Sequence, residues 1–116
     1  MSRRLIIAPP PPKPTAYEVI DALEAARQLL RPGLAKGSAH AVVDGIPCFC
    51  IVAAITAASR TKQIRDLAMD AARRALPGTW AWKGTLEQYN DAPTTSVEDA
   101  KTLLQRAKGN VREVAA

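Results

Sequence analysis

Large rings are scarce in this chain, which has one Phe, two Trp and two Tyr among 116 residues. Alanine dominates instead, and small side chains let helices pack closely, so helix is favoured over sheet. Cysteine is nearly absent as well. Cys48 and Cys50 make no disulfide framework, and they are too near in sequence to bridge each other comfortably, which points to a reducing compartment. There is a single histidine, His40. A structural zinc site wants four Cys or His ligands and the chain offers three, so no metal is expected. The six glycines stand singly, which excludes a glycine loop cradling a phosphate, and no cofactor is expected. No long hydrophobic run is present either. The apolar stretch from Ile46 to Ala58 is interrupted by Pro47 and Thr56 and falls short of the ~20 residues that span a bilayer. The start, Met1 to Ala8, is basic and then apolar, but Pro9 cuts it off before it reaches the length of a signal sequence. A soluble, cytoplasmic protein that does not enter membranes is the expectation.

What is present divides the chain into an extended arm (1–14), a helical domain (15–109) and a short tail (110–116). The arm holds five of the nine prolines. Pro9-Pro10-Pro11-Pro12 must run as polyproline II, stiff and without donors for a sheet. Ahead of it, Leu5-Ile6-Ile7 is apolar and β-prone, which suits docking on a neighbouring surface. At 116 residues the rest is one domain with a single core and little surplus.

The pattern predicts a mainly all-α bundle of four to five helices around a central apolar helix, with a short strand near 40–43. Thr15 and Glu18 form a capping box for a first helix that ends before Pro32-Gly33, with Val19, Leu23, Ala26 and Leu30 as its inward stripe. Ala41-Val42-Val43 before Asp44-Gly45 reads as a strand and tight turn, without an evident partner strand. Pro47 suits a first helical position, so the second helix is expected from about Ile46 to Ala58, apolar on all sides and therefore buried. A third helix, about Thr61 to Leu76, would turn Ile64, Leu67, Ala68, Ala71 and Ala75 inward. Thr85 caps a short helix to about Tyr89. Thr95 and Glu98 read as a second capping box for the last helix, which carries Val97, Ala100, Leu103, Leu104 and Ala107 and stops at Gly109.

Between the last two helices lies Tyr89-Asn90-Asp91-Ala92-Pro93, a polar turn in which Asn90 and Asp91 can bond the nearby backbone. With the Cys-led apolar segment, this turn carries a resemblance over roughly Tyr17 to Lys108. The chain resembles a small family of bacterial and phage proteins known as a domain of unknown function. The matching residues include Leu23, Ala26, Leu29, Gly37, Gly45, Cys48, Ala53, Ala54, Ile55, Ala58, Tyr89, Asn90, Asp91, Pro93, Thr95, Val97 and Leu104. Tyr89 stands where the family often has Trp, and Phe49-Cys50-Ile51-Val52 replaces smaller residues and glycine. The resemblance brings no activity with it. It implies a phage or mobile-element setting, hence a virion-associated location as the variant of the cytoplasmic expectation.

The net charge is +5 and unevenly placed, with Arg3, Arg4 and Lys13 on the arm and a basic stretch through the third helix. Asp66 and Asp70 lie one turn from Lys62 and Arg74, so much of that face is internally balanced. Three functional readings follow. The first is a non-catalytic interaction or assembly protein that docks a protein partner or its own copies through Leu5, Ile6, Ile7 and Pro10 and through the loop tryptophans Trp80 and Trp82, since Trp is enriched at interfaces. The core-filling role of those tryptophans stands beside it. The second is a nucleic-acid-binding accessory protein reading through Lys62, Arg65, Arg73 and Arg74. The third is a thiol enzyme using Cys48 or Cys50 with His40 as base and Asn90 as a conceivable orienting group. The apolar neighbours of both cysteines predict burial and inertness. We therefore expect no enzyme, and no catalytic, metal or cofactor residue.

Overall fold

The structure, a computed structural model, describes residues 13–78, 80 and 84–115. The arm residues Leu5, Ile6, Ile7 and Pro10 and the loop residue Trp82 lie outside them. Among the described residues the chain forms α1 (Ala16–Leu29), a hairpin of β1 (His40–Val43) and β2 (Ile46–Phe49), then α2 (Ile51–Ala58), α3 (Lys62–Arg74), α4 (Leu86–Asp91) and α5 (Val97–Ala115). It is a mostly helical bundle with one small antiparallel sheet.

The helix α1 starts where its capping box requires. Thr15 accepts the N–H of Glu18, and the Glu18 carboxylate reaches back to the N–H of Thr15 at 3.0 Å. Its stripe of Val19, Ala22, Leu23, Ala26 and Leu30 is buried. This helix is the hub of the bundle, packing against α2, α3 and α5. Glu24 ties it to α5. Its carboxylate receives Lys108 Nζ at 2.7 Å together with Arg27 and Gln28 of its own helix. Arg27 first, then Lys108 and Gln28, hold the Glu24 carboxyl far below the usual carboxylate range.

The strand expected near 40–43 has a partner, and it is made of residues expected to open the second helix. Val43 pairs with Ile46 and His40 with Phe49 across a two-residue turn. Asp44 (φ 53°) and Gly45 (φ 78°) both sit in the left-handed region, as a tight hairpin turn demands, and Asp-Gly is a favoured pair for it. The β-branched Val42, Val43 and Ile46 suit a ladder, and once the turn forms, their backbone groups find partners there rather than in a helix. Pro47 thus stands in a strand opposite Val42, and α2 begins at Ile51.

Burial of α2 is one-sided. Ile51, Ala54 and Ile55 are sealed in the core, whereas Val52 and Ala53 are half-buried and Thr56 and Ala57 face outward. Being apolar all round did not require burial all round, because the segment is only eight residues long and α1 and α3 cover one side of it. A similar correction applies to α3. It buries Ile64, Ala68, Ala71 and Ala72 but leaves Leu67 41% exposed, since the bundle meets a narrower face of the helix than the apolar pattern suggested.

The last helix also departs from expectation at both ends. Its box is formed by Ser96 and Asp99, each bonding the other's backbone N–H, and not by Thr95 and Glu98. Thr95 is instead buried, and its carbonyl accepts Lys36 Nζ at 2.6 Å. Gly109 does not stop the helix, which continues to Ala115. Val111 is buried and Asn110 donates to the Ala71 carbonyl at 3.1 Å, so contacts with the bundle outweigh the roughly 1 kcal/mol a helical glycine costs.

Candidate functional site

Three pieces of backbone meet around a cleft of about 530 Å³. One wall is Gly37 to His40, leading into β1. The second is the outward face of α2 with Cys50, Val52, Ala53, Thr56 and Ala57. The third is α4, contributing Glu87, Asn90 and Asp91. The lining is largely apolar, because α2 turns methyl groups and short side chains outward.

The pair Asn90-Asp91 builds this site. Both residues lie in the last turn of α4, and their bonds run far across the chain rather than to the adjacent turn. The Asn90 Oδ1 accepts the Ile51 N–H at 2.9 Å, and its Nδ2 donates to the Ala35 carbonyl at 2.7 Å and to Asp91 at 3.0 Å. Asp91 in turn accepts the Gly37 N–H at 2.8 Å. Lys36 Nζ donates to the carbonyls of Ala92 and Thr95. Residues 35–37, the start of α2 and the α4–α5 turn are thereby locked to one another. Asn90 is 1% exposed, and every polar atom it buries has a partner. The Gly37 N–H, followed by the Asn90 amide, draws the Asp91 carboxyl below its ordinary value.

The two cysteines have different surroundings. Cys48 is in β2, 1% exposed, with its thiol directed to the Ile46 carbonyl. A Cβ built on Gly33 would approach its sulfur at 3.1 Å, a contact that requires a small shift of one of the two groups. Cys50 is half-buried at the N-cap of α2, and its sulfur accepts the Ala53 N–H at 3.3 Å. Neither stands inside a helix turn as expected, since the hairpin displaces the helix start. His40 is exposed and its ring meets Phe49 edge-on at 5.1 Å. Cys50 and His40 line the same cleft. Asn90, however, has both ends of its amide occupied by structural bonds and is not free to orient the imidazole.

Trp80 is half-buried and packs edge-on against Tyr89 at 5.8 Å, over Gly84. The four cations of α3 are paired. Lys62 and Arg65 meet Asp66 at 3.6 and 3.5 Å, and Arg73 and Arg74 meet Asp70 at 3.2 and 3.3 Å. They occupy the outer side of α3, and none of them lines the cleft. Among the described residues no cluster of three His, Cys, Asp or Glu side chains could hold a metal ion, and no helix is long and apolar enough to cross a membrane. The cleft was hidden from the sequence because it needs the hairpin turn and the reach of Asn90 to exist. The isolated Asp44-Gly45 and the polar pair Asn90-Asp91 ahead of the last helix were its written signals.

No curated protein and no solved structure matches the chain. A family model does, described as a family of unknown function (DUF6197), over residues 14–110. That span takes in α1, the hairpin, the Asn90-Asp91 lock and most of α5, and the chain belongs to this family.

Proposed function

We propose that this protein is a non-catalytic interaction protein that receives an extended apolar protein segment on the surface made by the cleft and the neighbouring hairpin. The observation that carries this reading is the character of the cleft wall. Its buried Asn90 and its exposed Asp91 are both engaged in holding the backbone, and most of what remains for a ligand is apolar. Such a surface stabilises a partner by removing apolar area from water, at about 25 cal/mol per Å². Beside it the hairpin exposes Val42 (74%), Val43 (52%) and Ile46 (48%), which extends the apolar surface past the cleft. Glu87 and Asp91 give the α4 wall a negative charge, so the preferred segment carries arginine or lysine next to its apolar run. The arm and the tryptophan loop remain part of this reading as peripheral contacts. Two reduced thiols and the lack of a spanning helix among the described residues are compatible with a cytoplasmic setting.

A titration of the full chain with a synthetic peptide bearing two arginines before three leucines tests the reading. Backbone amide shifts should move at Ala39, His40, Ala53 and Ala57, and Ala57→Arg should remove them. Absence of saturable shifts at those residues would sink the proposal.

A second reading has one observation in its favour: Cys50 and His40 share the cleft, which keeps thiol chemistry at Cys50 in view. The nucleic-acid reading has less support, because Lys62, Arg65, Arg73 and Arg74 each have an acidic neighbour. Duplex DNA binding that weakens steeply with added salt and is lost on Arg65→Glu with Arg73→Glu would revive it.

A further inference from the structure

We infer that the N-terminal arm of a second copy of this chain adds as a third strand along the open edge of β1. The inference takes the interaction reading as its base and names the partner. Among the described residues β1 pairs with β2 alone, so its other edge offers the Val42 N–H and C=O and the His40 N–H without strand partners, while the His40 carbonyl accepts the Ser38 hydroxyl at 2.8 Å. A two-stranded sheet by itself is marginal in water, and this one is apolar on both faces of its tip. Alternation along the ladder puts Val42 and Pro47 on one face and Val43 and Ile46 on the other, and all four are exposed.

The sequence outside the described residues contains a segment that fits such an edge. Arg3-Arg4-Leu5-Ile6-Ile7-Ala8 is free of proline and long enough to cover the four residues of β1. Leu5 and Ile7 would fall on one face of the added strand and Ile6 on the other, so both apolar faces of the tip gain cover. Pro9 to Pro12 cannot donate to a ladder, which ends the strand at Ala8. Running in the direction of β1, the strand brings Arg3 and Arg4 to the His40 end, where Glu87 and Asp91 line the cleft. Main-chain bonds then supply affinity, and the two apolar faces with the arginine pair supply selectivity.

The geometry favours another copy as donor. The arm joins the domain at Thr15, the first end of α1, whereas the hairpin root lies past its last residue, Leu29, with Cys48 against Gly33. Those ends are about 21 Å apart along a helix of this length. A polyproline run as long as residues 8–14 would span about 22 Å at about 3.1 Å per residue. That only just reaches the hairpin root, so the same chain could donate only by running straight along α1, a constraint that a second copy does not carry. Reciprocal donation between two copies closes as a twofold dimer.

The test is the oligomeric state of the full chain by sedimentation velocity, with Ile6→Asp on the arm and Val42→Asp on the exposed face of β1. The wild-type chain should dimerise, and each variant should weaken the dimer by at least about tenfold while keeping the helical circular dichroism signal. Mixed isotope labelling should give contacts between Leu5 to Ile7 of one copy and the hairpin of the other. A chain that stays monomeric, a dimer indifferent to both substitutions, or arm-to-hairpin contacts found only within one copy would each overturn the inference. If the peptide titration succeeds while the chain is monomeric, the interaction reading stands and this inference falls.

Discussion

The side-chain oxygen of Asn90 accepts the backbone N–H of Ile51 at 2.9 Å, so the end of α4 caps the first residue of α2. The same amide donates to the Ala35 carbonyl, which makes one buried side chain the joint between three segments that are distant in sequence. Asn90→Ala would leave a buried donor and a buried acceptor without partners, a loss of about 2–4 kcal/mol. Urea unfolding should show it as a lower midpoint with an unchanged slope. Asn90→Asp would set a buried carboxylate against the Ala35 carbonyl and the Asp91 carboxylate, so it should lower the midpoint at least as far as Asn90→Ala.

Acid should act through two carboxylates. Glu24 and Asp91 both titrate below their ordinary values in the folded chain, the first through Arg27, Lys108 and Gln28 and the second through the Gly37 N–H and Asn90. A depressed carboxylate contributes stability that is present above its unfolded pKa and is lost as pH falls through the folded one. Melting temperature should therefore hold near neutrality and drop below about pH 4. Glu24→Gln should lower stability at neutral pH and flatten that acid limb. A drop of the same size in wild type and variant would refute the assignment to Glu24.

Gly109 lies inside α5, and a methyl group built there meets no atom within 4 Å. Gly109→Ala should stabilise the chain by about 0.5–1 kcal/mol through backbone entropy and helix propensity. Thermal melting checks it, and an unchanged or lower melting temperature would mean that the helix does not continue past this residue.

The cysteines should react unequally. Cys50 lines the cleft while Cys48 is 1% exposed. Iodoacetamide added to the native protein should label Cys50 and leave Cys48 unlabelled until denaturant is present, as read by peptide mass spectrometry. Equal protection of both thiols would remove thiol chemistry from the cleft.

Much of the helical framework was legible because its signals are local. Thr15 with Glu18, the stripe from Val19 to Leu30 and the acidic partners of Lys62 and Arg74 all involve residues within one or two turns. The stretch Ile46 to Phe49 was misread for a related reason. Ile, Cys and Phe are apolar in any secondary structure, and Pro47 is admissible both at a helix start and on an edge strand. The turn at Asp44-Gly45 decided between them by offering Val42 and Val43 a partner. Thr95 and Ser96 are both good caps, and the choice fell to Ser96 because Thr95 is drawn into the interior, where its carbonyl meets Lys36.

Composition and periodicity alone determined that this chain is a mostly helical, alanine-packed domain, since those properties follow from side-chain size and spacing. Which face of α2 is sealed, which cysteine meets the cleft and what Asn90 does were decided only in three dimensions. The role of Asn90 depends on groups 39 and 55 residues away being brought within hydrogen-bond distance, and the sealed face of α2 on its packing against α1 and α3, meetings that no local pattern encodes.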